Sequence, residues 1–230
     1  MKAKHLFIVG IAVAIPVIWW GALHLSYAAG VIGTGTAESC TKQALDAALV
    51  GGGAITFNCG KSPVVIPVLK EKVIEQNIAL DGGGLVTLSG RNMTRVFHVT
   101  SGATLEVHKL SIAYGAANDS SDTARDGNGG AILNEGGTVL LVDVGLTANR
   151  ADHSGGGIYN KGGTLSLVRS TISGSYVGDN GAGLLNEGGT VTLANSTLSG
   201  NFAGKNGGGL FNFAGTVTLI NDTLYSNNVS

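Results

Sequence analysis

The chain has 230 residues, of which 38 are glycine and only 13% are charged. A disordered chain would carry more charge, and glycine does not recur at every third position as it does in collagen. The 14 Lys and Arg residues nearly balance the 15 Asp and Glu residues. No basic excess is therefore present to hold a phosphate backbone, which excludes nucleic acid as a partner. Abundant glycine with Val, Leu, Ile and Thr predicts an all-β chain with many tight turns.

The N-terminus has the three-part pattern of a secretory signal peptide. Lys2 and Lys4 precede an apolar run over residues 6–23, and small residues stand at positions −3 and −1 of a cleavage site after Ala28. We therefore predict a signal peptide over residues 1–28. The alternative is an uncleaved anchor, since about 18 apolar residues nearly span a bilayer. Under either interpretation the remainder is exported, to the medium or to the cell surface.

The exported part contains two cysteines, Cys40 and Cys59. An even number of cysteines in an oxidising compartment predicts a disulfide, which in a loop of about 20 residues would stabilise the fold by about 3 kcal/mol. The alternative is two buried, unpaired thiols. His98, His108 and His153 are scattered along the sequence, so no metal site or cofactor is predicted.

A helix is predicted over residues 40–49, with Ser39 at its N-cap and Gly51 at its C-terminus. Together with the strand over residues 54–57 it would form an N-terminal cap over residues 29–60. Such a cap covers the open core and the sheet edges at the end of a solenoid.

From Asn128 onward the chain can be written without gaps in rows of 26 residues, the last being one residue short. Within each row apolar residues alternate with polar ones, which is typical of half-buried strands. Stacking the rows about 4.8 Å apart buries the shared apolar columns. The sequence therefore predicts a right-handed parallel β-helix with about three strands per coil over residues 128–230. The apolar columns are Ile132, Ile158, Leu184, Leu210; Val139, Leu165, Val191, Val217; Leu141, Leu167, Leu193, Leu219; and Leu146, Ile172, Leu198, Leu224.

A degraded form of the repeat lies upstream. Residues 103–112 match residues 137–146 with an offset of 34, and the eight additional residues predict a surface loop over 116–127. Residues 61–127 are therefore expected to form irregular coils that carry this loop.

One polar column contains Asn134, Asn160, Asn186 and Asn212. Each amide can donate to one neighbour and accept from the other, so we predict a ladder of side-chain hydrogen bonds at a turn. The alternative is that asparagine recurs there only because it favours turns.

No catalytic residue is predicted. Glu135 and Glu187 share a column but have Lys161 between them, and Asp143 beside Arg169 is better explained as an ion pair between coils. The acidic residues of the predicted loop lack the spacing of a known calcium loop; they are Asp119, Asp122 and Asp126.

A candidate binding stripe follows the buried Ile132 column. Neighbouring residues of a strand point to opposite faces, so the next column would form an outward apolar stripe suited to sugar rings or a protein partner. The alternative is that the glycine-rich segment 155–157 allows a bulge that turns both columns inward. The stripe consists of Leu133, Tyr159, Leu185 and Phe211.

The sequence also carries a family resemblance. The segment Gly129–Ile132 has the form GGA-[ILV] of the repeats in polymorphic outer membrane proteins, whose partner motif is F-x-x-N. That motif appears here with Leu for Phe and ends at Asn149, Asn201 and Asn227, while the second row has Ser175 instead. The segment from about residue 40 to 230 resembles bacterial secreted repeat proteins of the pectin-lyase-like β-helix superfamily.

The resemblance implies a secreted or surface protein with an adhesive role, whose partner would be a host or cell-surface protein or a polysaccharide. A membrane would be reached only through the N-terminal segment or through a region beyond Ser230. The alternatives are a polysaccharide lyase or hydrolase of the same superfamily, or a fragment of a larger surface protein.

Overall fold

The computed structural model describes residues 30–118 and 126–230. In these residues the backbone winds into a parallel β-solenoid of about seven turns, which confirms the predicted fold class. The predicted signal peptide, residues 1–28, lies outside the described residues, as do residues 119–125 of the predicted loop. No helix within the described ranges is long and apolar enough to span a bilayer.

The described residues contain one α-helix, α1 (Lys42–Gly51), and one 3-10 turn (Ala37–Ser39). In chain order the strands are β1 (Gly30–Ile32), β2 (Gly53–Phe57), β3 (Val64–Pro67), β4 (Lys72–Ile74), β5 (Ile78–Ser89), β6 (Phe97–Val99), β7 (Thr104–Ala113), β8 (Ala116–Ala117), β9 (Ile132–Glu135), β10 (Thr138–Val142) and β11 (Gly145–Thr147). They continue with β12 (Arg150–Ala151), β13 (Ile158–Lys161), β14 (Thr164–Val168), β15 (Thr171–Ser173), β16 (Tyr176–Val177), β17 (Leu184–Ala194), β18 (Thr197–Ser199), β19 (Phe202–Ala203), β20 (Leu210–Ile220), β21 (Thr223–Tyr225) and β22 (Asn228–Val229).

Every strand pair is parallel, and the strands stack in four sheets. Sheet 1 contains β1, β2, the first parts of β5 and β7, β10, β14 and the second parts of β17 and β20. Sheet 2 contains β3, the second parts of β5 and β7, β11, β15, β18 and β21. Sheet 3 contains β4, β6, β9, β13 and the first parts of β17 and β20. Sheet 4, which the sequence analysis did not predict, contains β8, β12, β16, β19 and β22.

The repeat of 26 residues is confirmed by the register between coils. Leu141 pairs with Leu167, Leu167 with Leu193 and Leu193 with Leu219. The side chains of Leu141, Leu167 and Leu193 are fully buried between sheets. The apolar columns therefore form one continuous core along the solenoid axis.

The degraded upstream repeat has the predicted offset. Val139 pairs with Leu105, and Leu146 pairs with Ile112. The predicted loop begins later than residue 116, because the backbone of Ala116–Ala117 forms β8 and pairs with β12.

The corner between sheet 1 and sheet 2 depends in each regular coil on a single residue in the left-handed backbone region. Sheet 1 turns into sheet 2 at Asp143, Arg169, Asn195 and Asn221, and the φ angles there lie between 48° and 55°. Asparagine tolerates this conformation better than most residues do. Backbone geometry as well as charge therefore determines which residue types occupy these corner positions.

The predicted helix exists but begins two residues later than expected. Thr41 caps it instead of Ser39, since the Thr41 side chain accepts a hydrogen bond from the Ala44 amide at 3.1 Å. Cys40 is held outside the helix, in a non-helical conformation, where it forms the predicted disulfide with Cys59 across a Cα–Cα distance of 5.6 Å. The buried Leu45 packs α1 against the core at the N-terminal end of the solenoid.

Candidate functional site

The asparagine column lies at the corner between sheet 3 and sheet 1. The Nδ2 atom of Asn134 donates to Oδ1 of Asn160 at 2.7 Å, and the same contact joins Asn160 to Asn186 and Asn186 to Asn212, each at 2.8 Å. The first three side chains are fully buried. Each of them also donates to a backbone carbonyl three residues ahead, for example that of Gly163. The amides thus satisfy backbone groups where the strands bend.

A second asparagine ladder, which the sequence analysis did not predict, follows sheet 2. The Oδ1 atom of Asn201 accepts from the Ser175 amide at 2.9 Å, and the Oδ1 of Asn227 accepts from the Asn201 amide at 3.2 Å. Asn149 accepts in the same way from the Gly115 amide at 2.7 Å. These asparagines stand at the last position of the F-x-x-N motif, so the signal was present in the sequence. The motif is explained by its role in closing the backbone at this corner.

The predicted outward apolar stripe is wrong. Leu133 is only 1% exposed and Leu185 only 5%, while Tyr159 is half-buried. The glycine turn that precedes each strand lies over this column. An added Cβ on Gly155 would meet Tyr159 Cβ at 2.8 Å, and one on Gly181 would meet Leu185 Cβ at the same distance. The column, which continues to Phe211, is therefore covered by backbone and offers no continuous binding face.

Tyr159 is connected to an acidic neighbour in the next coil. Its hydroxyl donates to Oε2 of Glu187. Burial raises the pKa of the Tyr159 phenol, and the hydrogen bond to the Glu187 carboxylate raises it further. The phenol therefore stays protonated and acts as a donor to Glu187.

A charged network surrounds His98 on the outer side of sheet 3. The Nδ1 atom of His98 lies 3.2 Å from Oε1 of Glu71, and its Nε2 lies 2.9 Å from Oε2 of Glu135. The hydrogen bond to Glu71 is the largest influence on the pKa of His98 and raises it, against the opposing effects of burial and of the Arg95 charge. Lys161 continues the network, with its Nζ 3.2 Å from Oε1 of Glu135. The side chains of Glu71, His98, Glu135 and Lys161, which come from successive coils, are thus joined in a row.

Arg95 anchors the buried end of this network. Its side chain is 1% exposed, and its Nη1 lies 2.8 Å from Oε2 of Glu71, whose side chain is 6% exposed. Its Nη2 donates to Asp126, and its Nε donates to the carbonyl of Gly129 at 3.1 Å. A buried charge of this kind is stable only when it is paired and hydrogen-bonded. Arg95 therefore fixes the backbone at the C-terminal side of segment 119–125.

Glu135 is ionised in this arrangement. Burial alone would raise the pKa of its carboxyl, but the hydrogen bonds from Lys161 and His98 outweigh that effect and hold the pKa below its ordinary value. Both oxygens of Glu71 and both oxygens of Glu135 contact Arg95, Lys161 or a ring nitrogen of His98, which is cationic when protonated. The network therefore offers no free carboxylate for acid–base chemistry, and no group of side chains in the described residues could hold a metal ion.

The charged columns of the sequence analysis behave in two different ways. Asp143 and Arg169 form a bidentate ion pair between coils, with both N–O distances at 2.8 Å. The column of Glu135, Lys161 and Glu187 loses its regular spacing in the next coil, because a register irregularity pairs Glu187 with Ala214.

Sheet 4 presents an exposed aromatic pair. Tyr176 and Phe202 occupy paired positions on β16 and β19, and their rings stack with centroids 5.8 Å apart and planes 2° apart. Tyr176 is 53% exposed. An open hollow of about 330 Å³ adjoins it, lined by Arg150, Ala151, Asp152, Tyr176 and Gly178.

Comparison with known proteins returned no match among protein families, curated proteins or solved structures.

Proposed function

We propose that this chain is a non-catalytic, exported β-helix protein, secreted or displayed at a cell surface, that binds other macromolecules with the side of its solenoid. The observation that carries the proposal is the closed network around His98. Glu71 and Glu135 lie on either side of His98, and each of their four oxygens faces Arg95, Lys161 or a ring nitrogen of His98. A glycosidase needs one carboxyl that can give up a proton and another that is open to water or sugar.

Two further features support export and surface binding. The Cys40–Cys59 disulfide is typical of oxidising compartments. The second asparagine ladder supplies a structural reason for the motif that resembles polymorphic outer membrane proteins, which have adhesive roles. The alternative of a polysaccharide lyase or hydrolase gains no support from the arrangement of the acidic residues.

The catalytic half of the proposal is tested with the purified, disulfide-bonded chain. It is incubated with neutral and acidic polysaccharides, and new reducing ends and unsaturated uronides are measured. We expect no product above the blank. Product formation that Glu135→Gln abolishes and Glu106→Gln leaves intact would overturn the proposal.

The binding half is tested with the same protein labelled fluorescently and applied to bacterial and animal cells. We expect saturable retention that the unlabelled chain displaces. Retention that unlabelled protein does not displace, or no retention above that of an unrelated protein of equal net charge, would contradict a binding role.

A further inference from the structure

Sheet 4 contains an incomplete stack of aromatic rings. Along its outward column Arg150 pairs with Tyr176, and Tyr176 pairs with Phe202. Phe202 covers one face of the Tyr176 ring at a centroid distance of 5.8 Å. The hollow of about 330 Å³ is lined by Tyr176 and Gly178 and by Arg150, Ala151 and Asp152 of the preceding coil, and Phe202 is not among its lining residues.

We propose that this hollow, which we call the Tyr176 slot, binds the aromatic side chain of a partner polypeptide. Aromatic rings stack favourably with centroids about 4.5–7 Å apart, and Tyr176 and Phe202 already stand at such a spacing. A planar ring entering the slot would extend the stack by one member. The proposal rests on the binding role proposed above and assigns that role to one place on the solenoid.

The side chains at the rim fit an aromatic guest. Arg150 is exposed and is held in place because its Nη2 donates to the Asn92 carbonyl at 3.0 Å. A guanidinium held at the rim of the slot can form a cation–π contact with the ring of an aromatic guest. Tyr176 is 53% and Phe202 is 38% exposed, so a guest would remove apolar surface from water on binding. Burial of such surface is the main favourable term in association.

A polypeptide is favoured over the other sources of flat rings. A nucleic acid would require phosphate contacts, and the chain has a net charge of −1 with no basic excess. A sugar ring is puckered and carries hydroxyls that need several directed hydrogen bonds. Ala151 and Gly178 offer no polar side chain in the slot, and the polar side chains of Arg150 and Asp152 already have interactions of their own. An aromatic side chain needs only a flat face and an apolar wall.

The slot is tested with N-acetyl-tryptophanamide as the probe, titrated into the full chain and followed by saturation-transfer NMR on the probe's ring protons. We expect saturable binding that weakens at least tenfold in Tyr176→Ala. Tyr225→Ala is the matched control, because Tyr225 is 56% exposed on sheet 2 and belongs to no stacked pair among the described residues. Both positions are exposed, so unchanged melting temperatures should show that the two variants fold.

Equal affinity of the probe for the parent and for Tyr176→Ala would overturn the slot. Binding of methyl glucoside that depends on Tyr176 and exceeds that of the probe would also overturn it, because the guest would then be a sugar. The cell-binding assay separates this inference from the proposed function. If Tyr176→Ala binds cells as well as the parent does, the proposal for the Tyr176 slot is wrong and the binding role stands. If the parent itself does not bind cells, the proposed function is wrong.

Discussion

The amide of Ser175 donates to the Oδ1 atom of Asn201 in the following coil at 2.9 Å. Ser175 itself occupies the position at which the coils before and after it carry Asn149 and Asn201. It is 1% exposed, and its hydroxyl has no hydrogen-bond partner in residues 30–118 and 126–230. The second asparagine ladder is therefore interrupted in one coil.

We predict that Ser175→Asn raises the free energy of unfolding by about 1 kcal/mol, the usual net value of a buried hydrogen bond. The new amide would accept from the Asn149 amide and satisfy the orphaned polar position. Gly157 leaves room for it, just as Gly183 lies beside Asn201. Urea unfolding measures the change, with Ser175→Ala as the control that removes the hydroxyl without adding an amide. The prediction fails if the two variants are equally stable.

A second prediction concerns the corner between sheet 2 and sheet 4. Ala148 has a φ of 52°, where the next two coils have Gly174 and Gly200. The left-handed conformation costs a residue with a Cβ about 1–2 kcal/mol. Glycine avoids this cost, but it loses more conformational entropy on folding, which cancels part of the stabilisation. We expect Ala148→Gly to stabilise the fold by about 0.5 kcal/mol.

The reverse change, Gly174→Ala, serves as the matched control and should destabilise the fold by about 1 kcal/mol. The cost would be conformational and not steric, because the nearest atom to an added Cβ is the Ala148 amide nitrogen at 3.9 Å. Thermal unfolding of the two variants should shift in opposite directions. Shifts in the same direction would show that backbone strain does not decide this corner.

The third prediction is a pH dependence of stability through His98. The pKa of His98 is raised in the folded state above its ordinary value of 6.5, so its ionised form is favoured by folding. The resulting stabilisation is fully present below pH 6.5 and is lost as the pH rises through the folded-state pKa. Urea unfolding of the parent and of His98→Gln should therefore differ more at pH 5.5 than at pH 8.5. A difference that does not vary with pH would contradict the ion pairs with Glu71 and Glu135.

The fourth prediction compares two positions of one core column. Leu193 is fully buried, whereas Leu219, its partner in the last described coil, is 47% exposed. We expect Leu193→Ala to destabilise by about 3 kcal/mol because it leaves a cavity in a packed core. Leu219→Ala should cost clearly less, since it uncovers surface that water already reaches. Equal losses of stability would mean that the two coils do not differ in packing as described.

The constant spacing of the regular coils made their fold predictable from the sequence. A column such as Leu141, Leu167 and Leu193 repeats without a gap, so its stacking follows from counting alone. The irregular coils do not share a constant number of residues per coil. His98 pairs with Val73, 25 residues before it, and with Leu133, 35 residues after it. Counting could not place His98 beside Glu135, nor either of them beside Glu71.

The stripe failed for a different reason. Alternation along the strand correctly placed Leu133 and Leu185 opposite the main core, but it says nothing about what covers the outer face. The glycine turn does so, because a residue without a side chain can approach Leu185 Cβ closely. The sequence analysis considered segment 155–157 only as a bulge that would turn both columns inward, whereas in the structure this turn lies over the outer face and the column stays outside the main core.

Both asparagine ladders join residues that are 26 apart, so the regular part of the solenoid can differ in length only by whole coils. Removing or adding a whole coil returns every column to an equivalent partner, whereas a change of one residue would move buried residues such as Leu167 to the outer face of their strand. Additional residues are accepted only where they leave the solenoid as a loop. The eight extra residues between Ile112 and Leu146 do so, because Ile112 and Leu146 still pair with each other in neighbouring coils. The molecule can thus vary at its corners and in its number of coils, while the circumference of each regular coil stays fixed.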